Sequence, residues 1–206
     1  MKNKKAFFTT KWIAYTAMLT ALVVATSFIP KVPTVAGNIY WVDGMVLLAA
    51  YLTDPLAAFI AGGIGSLLYD VIASPSMMIP SLLIHGLQGA VVSLLLHYVF
   101  PKRFVKWEWI WAIVCSLTGA VIVVGGYFIY RCVTLGAPVA VTNIPRNIIQ
   151  EIIGITIAMI ICYGTTFKKQ LEKNNLLPDF RKEVLEKTPP RENTENEEIT
   201  EDKNVE

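Results

Sequence analysis

The sequence predicts an all-α integral membrane protein, a six-transmembrane-helix bundle with its N- and C-termini in the cytoplasm. Three observations support this fold class. Of the 206 residues, 54% are hydrophobic and the mean hydropathy is +0.50, which is more apolar than an ordinary soluble domain. Several apolar segments approach the length of about 20 residues that a helix needs to cross a bilayer. Lysine and arginine are also distributed unequally between the two predicted sides of the membrane.

Apolar runs define the helices in order along the chain. The first run follows the basic stretch "MKNKKAFFTTKW", but no A-x-A cleavage site follows it, so we interpret it as a first helix and not as a signal peptide. One run, 42–53, is short for a full span, and it either starts earlier, near Asn38, or is held inside the bundle. The five clear spans are 12–29, 56–74, 80–99, 109–131 and 147–167.

Flanking charges predict the topology through the positive-inside rule. With six spans, nine basic residues fall on one side and three on the other, so both termini are expected to be cytoplasmic. The cytoplasmic group is Lys2, Lys4, Lys5, Lys11, Lys102, Arg103, Lys106, Lys168 and Lys169, and the outer group is Lys31, Arg131 and Arg146.

Three connections are predicted on the outer side: 30–41, 75–79 and 132–146. The first and third are rich in Pro, Gly and Ala, and loops of this kind often cap or gate a site. On the cytoplasmic side, 11 of the 16 acidic residues come after residue 170. We therefore predict two regions, a membrane domain over 1–170 and an acidic, disordered tail over 171–206.

Polar residues within the spans concentrate in the outer half of the bundle. His85 and Gln88 are spaced i, i+3, and the stretch "NIPRNIIQEIIG" places Asn147, Gln150 and Glu151 at i, i+3 and i+4, so each set shares one helix face. Polar groups at membrane depth are costly unless they face the protein interior or water. The pattern therefore predicts an outward-opening polar pocket.

Structural interpretations compete at several of these positions. Asp43 suits an N-cap of the second span, and Arg131 and Arg146 are interpreted as snorkelling to the headgroup region. Asp70 could be an interfacial helix end. The deeper residues His85, Gln88 and Gln150 could instead form hydrogen bonds between helices.

Two helices carry stripes of small residues at a spacing of four. Such stripes allow close helix approach in lipid. In the helix around residue 62, internal packing is the simpler interpretation, whereas the stripe on the first helix serves either internal packing or a membrane partner. The stripes are Ala17, Ala21 and Ala25, and Ala58, Gly62 and Ser66.

Catalytic and metal-binding motifs are scarce. The chain has no GxxxxGK[ST] phosphate loop and no HExxH, and Cys115, Cys132 and Cys162 are scattered without a CxxC motif. We expect no enzyme activity, cofactor, bound metal or nucleic-acid partner. An intramembrane hydrolase using Ser66 and His85, and a stand-alone carrier, are the alternatives.

Several segments together resemble a known family. "VDGMVLLAAYLTDPLAAFIAGGIGSLLYDVI", "IPSLLIHGLQGAVVSLLL" and "GGYFIYRCVTLGAPVAVTNIPRNIIQEIIG" resemble the substrate-binding S components of energy-coupling factor (ECF) vitamin transporters. The similarity covers about residues 11–167 and is greatest to the branch that includes riboflavin, pyridoxine and hydroxymethylpyrimidine carriers. Relatives often have Lys-Gly-x-Glu where this chain has the residues from His85 to Gln88.

The resemblance implies a function and a set of partners. It implies a bacterial cell-membrane protein that binds a small water-soluble vitamin under its first outer loop. It also implies docking of a transmembrane coupling subunit, which holds two cytoplasmic ATPases, on the first-helix stripe. The implied substrate-binding residues are Asn38, Tyr40, Trp41, Asp43, His85, Gln88, Tyr127, Asn147 and Gln150.

Overall fold

The computed structural model describes residues 9–34, 37–99 and 108–173, and these residues form a helical bundle with one small β-hairpin. The helices are α1 (Thr10–Ser27), α2 (Val42–Leu52), α3 (Pro55–Phe59), α4 (Gly65–Ala73), α5 (Met78–Leu94), α6 (Glu108–Leu135), α7 (Ala137–Met159) and α8 (Phe167–Lys173). The strands are β1 (Val32–Thr34) and β2 (Gly37–Ile39).

Short π-helical segments lengthen three of these helices. One segment, Ile60–Ile64, joins α3 to α4, and others extend α5 to Val99 and α7 to Gly164. Within the described residues, four helices are long and apolar enough to cross a membrane. They are Pro55–Ala73, Pro75–Val99, Glu108–Leu135 and Ala137–Gly164. The helical membrane class is therefore borne out, while the count of six spans stays a prediction.

The short helix α2 lies inside the bundle. All 11 of its residues are buried, and it packs against α1, α5 and α7. Apart from Asp43, its sequence, VDGMVLLAAYL, is apolar on every face, which is typical of a helix surrounded by protein. Of the two sequence-based alternatives for this segment, the structure supports the helix held within the bundle, and it begins at Val42.

The predicted outer loop 132–146 is wrong. Helix α6 continues to Leu135 and α7 starts at Ala137, so Gly136 alone separates them. Gly136 has φ = 88°, a left-handed conformation that a residue without a Cβ adopts readily. Pro138 falls in the first turn of α7, where proline costs nothing, and Pro145 lies within the helix, as transmembrane helices tolerate. The two prolines therefore lie within a helix, and Gly136 marks the break between α6 and α7.

The first predicted outer connection, 30–41, contains the β-hairpin, which the sequence pattern did not reveal. The strands pair antiparallel, with Val32 opposite Ile39 and Pro33 opposite Asn38. Strand β2 packs against α7, and the backbone carbonyl of Asn38 accepts a hydrogen bond of 3.1 Å from Arg146 Nη1. The hairpin is thus tied to one end of the bundle. At the chain's other end, the predicted acidic tail from residue 174 onward lies outside the described residues.

Candidate functional site

A polar cavity of about 130 Å³ lies at the hairpin end of the bundle. Six helices, α1, α2 and α4 to α7, contribute to its wall together with residues around the hairpin. The lining residues are Ser27, Tyr40, Val42, Ser66, Tyr69, Asp70, Ser74, Met77, Ser81, His85, Tyr127, Arg131, Arg146, Asn147 and Gln150. The polar residues that the sequence placed in one layer therefore do surround a common space.

Five of the nine predicted substrate-binding residues line this cavity. They are Tyr40, His85, Tyr127, Asn147 and Gln150. Asp43 and Gln88 lie behind this wall, where both are completely buried. Asn38 and Trp41 belong to the hairpin connection, residues 30–41, which we call the cover of the cavity. The carbonyl of Asn38 accepts a hydrogen bond from Arg146, and Trp41 Nε1 donates to the carbonyl of Pro30 at 2.9 Å.

Asp43 connects three helices behind the cavity. Its Oδ2 accepts a hydrogen bond of 2.6 Å from Gln150 Nε2 on α7, and its Oδ1 lies 3.2 Å from Nδ1 of His85 on α5. The interpretation of Asp43 as an N-cap is wrong, because Trp41 holds that position and Asp43 lies in the first turn of α2 with its carboxylate turned inward. A buried carboxylate needs such partners to offset its desolvation.

A second buried carboxylate, Glu151, extends the network. Gln88 Nε2 lies 3.2 and 3.0 Å from the two carboxylate oxygens of Glu151, and Gln88 Oε1 lies 3.3 Å from Nδ1 of His85. Glu151 is only 2% exposed. The sequence pattern places it on the polar face of its helix but does not identify it as a binding residue. Its hydrogen bonds hold Gln88, and through Gln88 they position His85.

His85 is engaged at both ring nitrogens. Nδ1 faces the Asp43 carboxylate, and Nε2 lies 3.1 Å from the hydroxyl of Tyr127, which is in turn 2.9 Å from Ser81 Oγ. A proton on Nδ1 satisfies the carboxylate and leaves Nε2 as an acceptor for the Tyr127 hydroxyl. The two rings meet edge to face, with centroids 5.7 Å apart. The aromatic wall of the cavity is therefore held in a fixed orientation.

Gln150 links this network to the cover. Its Nε2 donates to Asp43, and its Oε1 accepts a hydrogen bond of 3.1 Å from the backbone N–H of Tyr40, directly after β2. One amide side chain thus joins the buried carboxylate of Asp43 to the hairpin segment through two hydrogen bonds. Arg146, one turn earlier on α7, holds the same segment through the carbonyl of Asn38.

Lys31 lies beside the cavity next to the hairpin. Its Nζ is 4.9 Å from the ring centroid of Tyr40 and 5.1 Å from that of Tyr69, both of which line the cavity. The hydrogen bond to the Tyr69 side chain is the main cause that raises the pKa of the Lys31 ammonium. Lys31 therefore stays positively charged at neutral pH, and its charge attracts the two aromatic faces.

Sequence analysis missed several lining residues. Arg131 and Arg146 were interpreted as headgroup-facing, and Asp70 as an interfacial helix end, but all three line the cavity. A spacing of four residues could have revealed them, since each lies one helical turn from a second lining residue. The pairs are Tyr127 with Arg131, Arg146 with Gln150, and Ser66 with Asp70.

The small-residue stripe of α1 faces away from the bundle. Ala17, Ala21 and Ala25 are exposed. The opposite face of the helix is buried and carries Trp12, Thr16, Leu19, Val23 and Ser27. The stripe is therefore available to another membrane helix, and it does not pack against the part of this chain that the structure describes.

Comparison with known proteins agrees with this architecture. The model of the ECF-type riboflavin transporter S component family matches residues 7–168. The chain belongs to this family. The thiamine precursor transporter HmpT of Lactococcus lactis is 30% identical over 173 residues, which is 83% of this chain and 89% of the relative. An uncharacterized protein in the gap 3′ region of Pyrococcus woesei is 32% identical over 137 residues, 66% of this chain and 88% of the relative.

Family membership confirms the resemblance seen in the sequence. This S component is an integral membrane transport protein and not an enzyme, as expected. Ser66 and His85 both line the cavity, but that proximity is accounted for by the pocket of a transporter subunit and does not require a hydrolase.

Proposed function

We propose that this S component is the high-affinity binding subunit for a water-soluble vitamin or vitamin precursor of the pyridoxine, hydroxymethylpyrimidine or riboflavin class. The observation that carries the proposal is the polar cavity enclosed in an otherwise apolar bundle. Membrane proteins do not retain buried polar groups at such cost without a role for them. The similarity to a thiamine precursor transporter supports a ligand of this kind.

The wall of the cavity suits a flat heteroaromatic ligand. Tyr40 and Tyr127 offer ring faces for stacking, while His85, Asn147 and Gln150 offer hydrogen-bonding groups. The volume of about 130 Å³ favours a single-ring compound, such as a pyridine or pyrimidine, over the three fused rings of a flavin. Asp43 and Gln88 contribute by positioning these groups.

Charge distribution supports an orientation for the bundle. With six spans, the positive-inside rule places both termini in the cytoplasm and the hairpin end, with its cavity, on the outer side of a bacterial cell membrane. The hairpin then covers the ligand. The exposed stripe Ala17, Ala21 and Ala25 docks a transmembrane coupling subunit, which carries two cytoplasmic ATPase subunits that supply the energy.

The test begins with mass spectrometry of small molecules released from the purified protein in detergent. The compound found, or each of pyridoxine, hydroxymethylpyrimidine, riboflavin and thiamine, is then titrated against the wild type and against His85→Ala and Gln150→Ala. We expect stoichiometric binding that both substitutions weaken by at least tenfold, since each removes about 1.4 kcal/mol or more of hydrogen bonding and positioning.

Gln170→Ala is the matched control, because Gln170 is an exposed glutamine on α8, outside the cavity. This variant should bind like the wild type. If nothing co-purifies and none of the four compounds binds, the proposal fails. Uptake into vesicles that contain this chain alone, without ATP, would favour a stand-alone carrier instead.

A further inference from the structure

Two arginines line the cavity, and neither has a carboxylate partner in the part of the chain that the structure describes. Arg131 lies in the last turns of α6 and Arg146 lies on α7, and both side chains contribute to the cavity wall. The Nε atom of each is buried and has no hydrogen-bond partner among the described residues. Among the same residues, neither guanidinium forms an ion pair with a carboxylate. The cavity thus presents two positive charges whose donors are only partly used.

Arg146 is nevertheless held in place. Its Nη1 donates to the carbonyl of Asn38 at 3.1 Å, and its Nη2 donates to Asn147 Oδ1 at 2.7 Å. These acceptors fix the guanidinium plane but are neutral, so they do not balance its charge. Arginine is the side chain best suited to bind a carboxylate or phosphate, because its donors match two oxygens at once.

Asp70 gives the cavity a second kind of polar group. The residue is 8% exposed, and its side chain lines the same space. An oxygen of Asp70 suits a hydrogen-bond donor of the ligand, such as an amino group or a protonated ring nitrogen. The two arginines suit a negatively charged acceptor. The cavity wall is therefore matched to a ligand that carries a hydrogen-bond donor and an anionic acceptor.

We propose that the ligand is a heteroaromatic amine bearing a phosphate or carboxylate group, which Arg131 and Arg146 bind. This inference rests on the proposed function, because it assigns the chemical class of the ligand in the same cavity. The inference predicts that the cavity binds the phosphorylated form of a ring compound more tightly than its neutral parent. Charge-assisted hydrogen bonds to two arginines should favour the anionic form by about tenfold to a hundredfold.

The experiment compares matched pairs of compounds on the purified full chain in nanodiscs of phosphatidylcholine. The pairs are pyridoxamine with pyridoxamine 5′-phosphate, and aminated hydroxymethylpyrimidine with its phosphate ester. Binding is measured for the wild type and for Arg131→Gln, Arg131→Lys and Arg146→Gln. We expect the wild type to bind the phosphorylated member of at least one pair tenfold or more tightly.

The variants separate a direct contact from a loss of fold. Arg131→Gln should remove the preference for the phosphate, so that the two members of each pair bind within about threefold of each other, a difference of less than one hydrogen bond. Arg146→Gln should also remove the preference but should weaken both members, because Arg146 holds the carbonyl of Asn38 next to the cavity. Arg131→Lys should restore part of the preference, because it restores the charge. If the wild type binds the neutral member equally or more tightly, the inference is overturned while the proposed function stands.

Lipid headgroups are the other source of phosphate for these arginines. In a second set of nanodiscs, phosphatidylglycerol replaces part of the phosphatidylcholine. The arginines serve the membrane surface, and the inference is overturned, if two results are found together. Anionic lipid would change ligand binding by the arginine variants and by the wild type to different extents, and no soluble phosphate would be preferred. If neither member of either pair binds, nor any compound in the earlier panel, the proposed function fails as well.

Discussion

Two small-residue stripes with the same spacing have opposite positions in this molecule. Ala17, Ala21 and Ala25 on α1 are exposed. On the helix Pro55–Ala73, Ala58 is 0% exposed, Gly62 is buried and Ser66 is 4% exposed. The pattern alone predicts close approach of another helix in both cases. It does not say whether that helix belongs to the same chain.

The opposite face of each helix explains the difference. On α1, the buried face carries large side chains, including Trp12 and Leu19, which pack into the bundle and leave the alanines outside. On the helix Pro55–Ala73, the outward positions carry large apolar side chains, such as Leu68 and Ile72, which suit contact with lipid. A small-residue stripe turned toward lipid forms a shallow groove, and none of the described residues of this chain fills it. That groove is the stronger indication of a partner.

The largest predicted effect is on the buried stripe. A Cβ added at Gly62 would lie 2.7 Å from the backbone oxygen of His85 and 2.8 Å from Cγ1 of Val46. Backbone cannot move aside cheaply, so Gly62→Ala should cost about 1–3 kcal/mol of stability. Thermal unfolding of the purified protein should show a melting temperature lower by roughly 2–4 °C for each kcal/mol lost.

Gly125→Ala is the control for this substitution. A Cβ at Gly125 meets nothing within 4 Å, so the same chemical change in the middle of another helix should leave the melting temperature unchanged or slightly higher. If Gly62→Ala is as stable as Gly125→Ala, the buried stripe is not in close contact with α5. The comparison between the two stripes would then lose its basis.

The next effect concerns the exposed stripe. Ala21→Leu should leave ligand affinity and melting temperature unchanged, because the side chain points away from the bundle and the cavity. With the complete transporter in vesicles, ATP-dependent uptake should fall by about tenfold, equivalent to about 1.4 kcal/mol of lost docking. Val121→Leu on α6, where Val121 is 72% exposed, adds bulk at a lipid-facing position and should leave uptake intact. Equal effects of the two substitutions would contradict a docking role for the stripe.

Much of the fold could be predicted because membrane helices must satisfy their own backbone. Apolar length alone therefore located the helices, and their observed limits differ from the predicted ones mainly around Gly136. There the usual loop residues misled the prediction, since a single glycine with positive φ makes the turn and Pro145 lies inside a helix. The hairpin was also missed, because two strands of three residues are too short to show an alternating pattern.

The candidate site was only partly predictable from the sequence. Helical spacing identified which faces carry polar groups, and the structure gathers His85, Asn147 and Gln150 at one cavity. Spacing could not say which polar residues line the space and which stand behind it. Asp43 is a hydrogen-bonding partner of lining residues, and Arg146 is itself a lining residue, because of how α2 and α7 pack. That arrangement depends on tertiary contacts between residues more than 100 positions apart.

The smallest predicted effect lies where the buried stripe meets the cavity. Ser66 Oγ is buried and has no hydrogen-bond partner among the described residues, so Ser66→Ala removes a desolvated hydroxyl and keeps the small side chain that packing requires. Stability should change by no more than about 1 kcal/mol, in the direction of stabilisation. Ligand affinity, measured by titration, should stay within about threefold, or less than one hydrogen bond. A large loss of binding would mean that Ser66 contacts the ligand directly, and the stripe would then serve recognition as well as packing.

Asp70, one turn further along α4, would be the next residue to substitute, because it shares the same helix face and the same cavity wall.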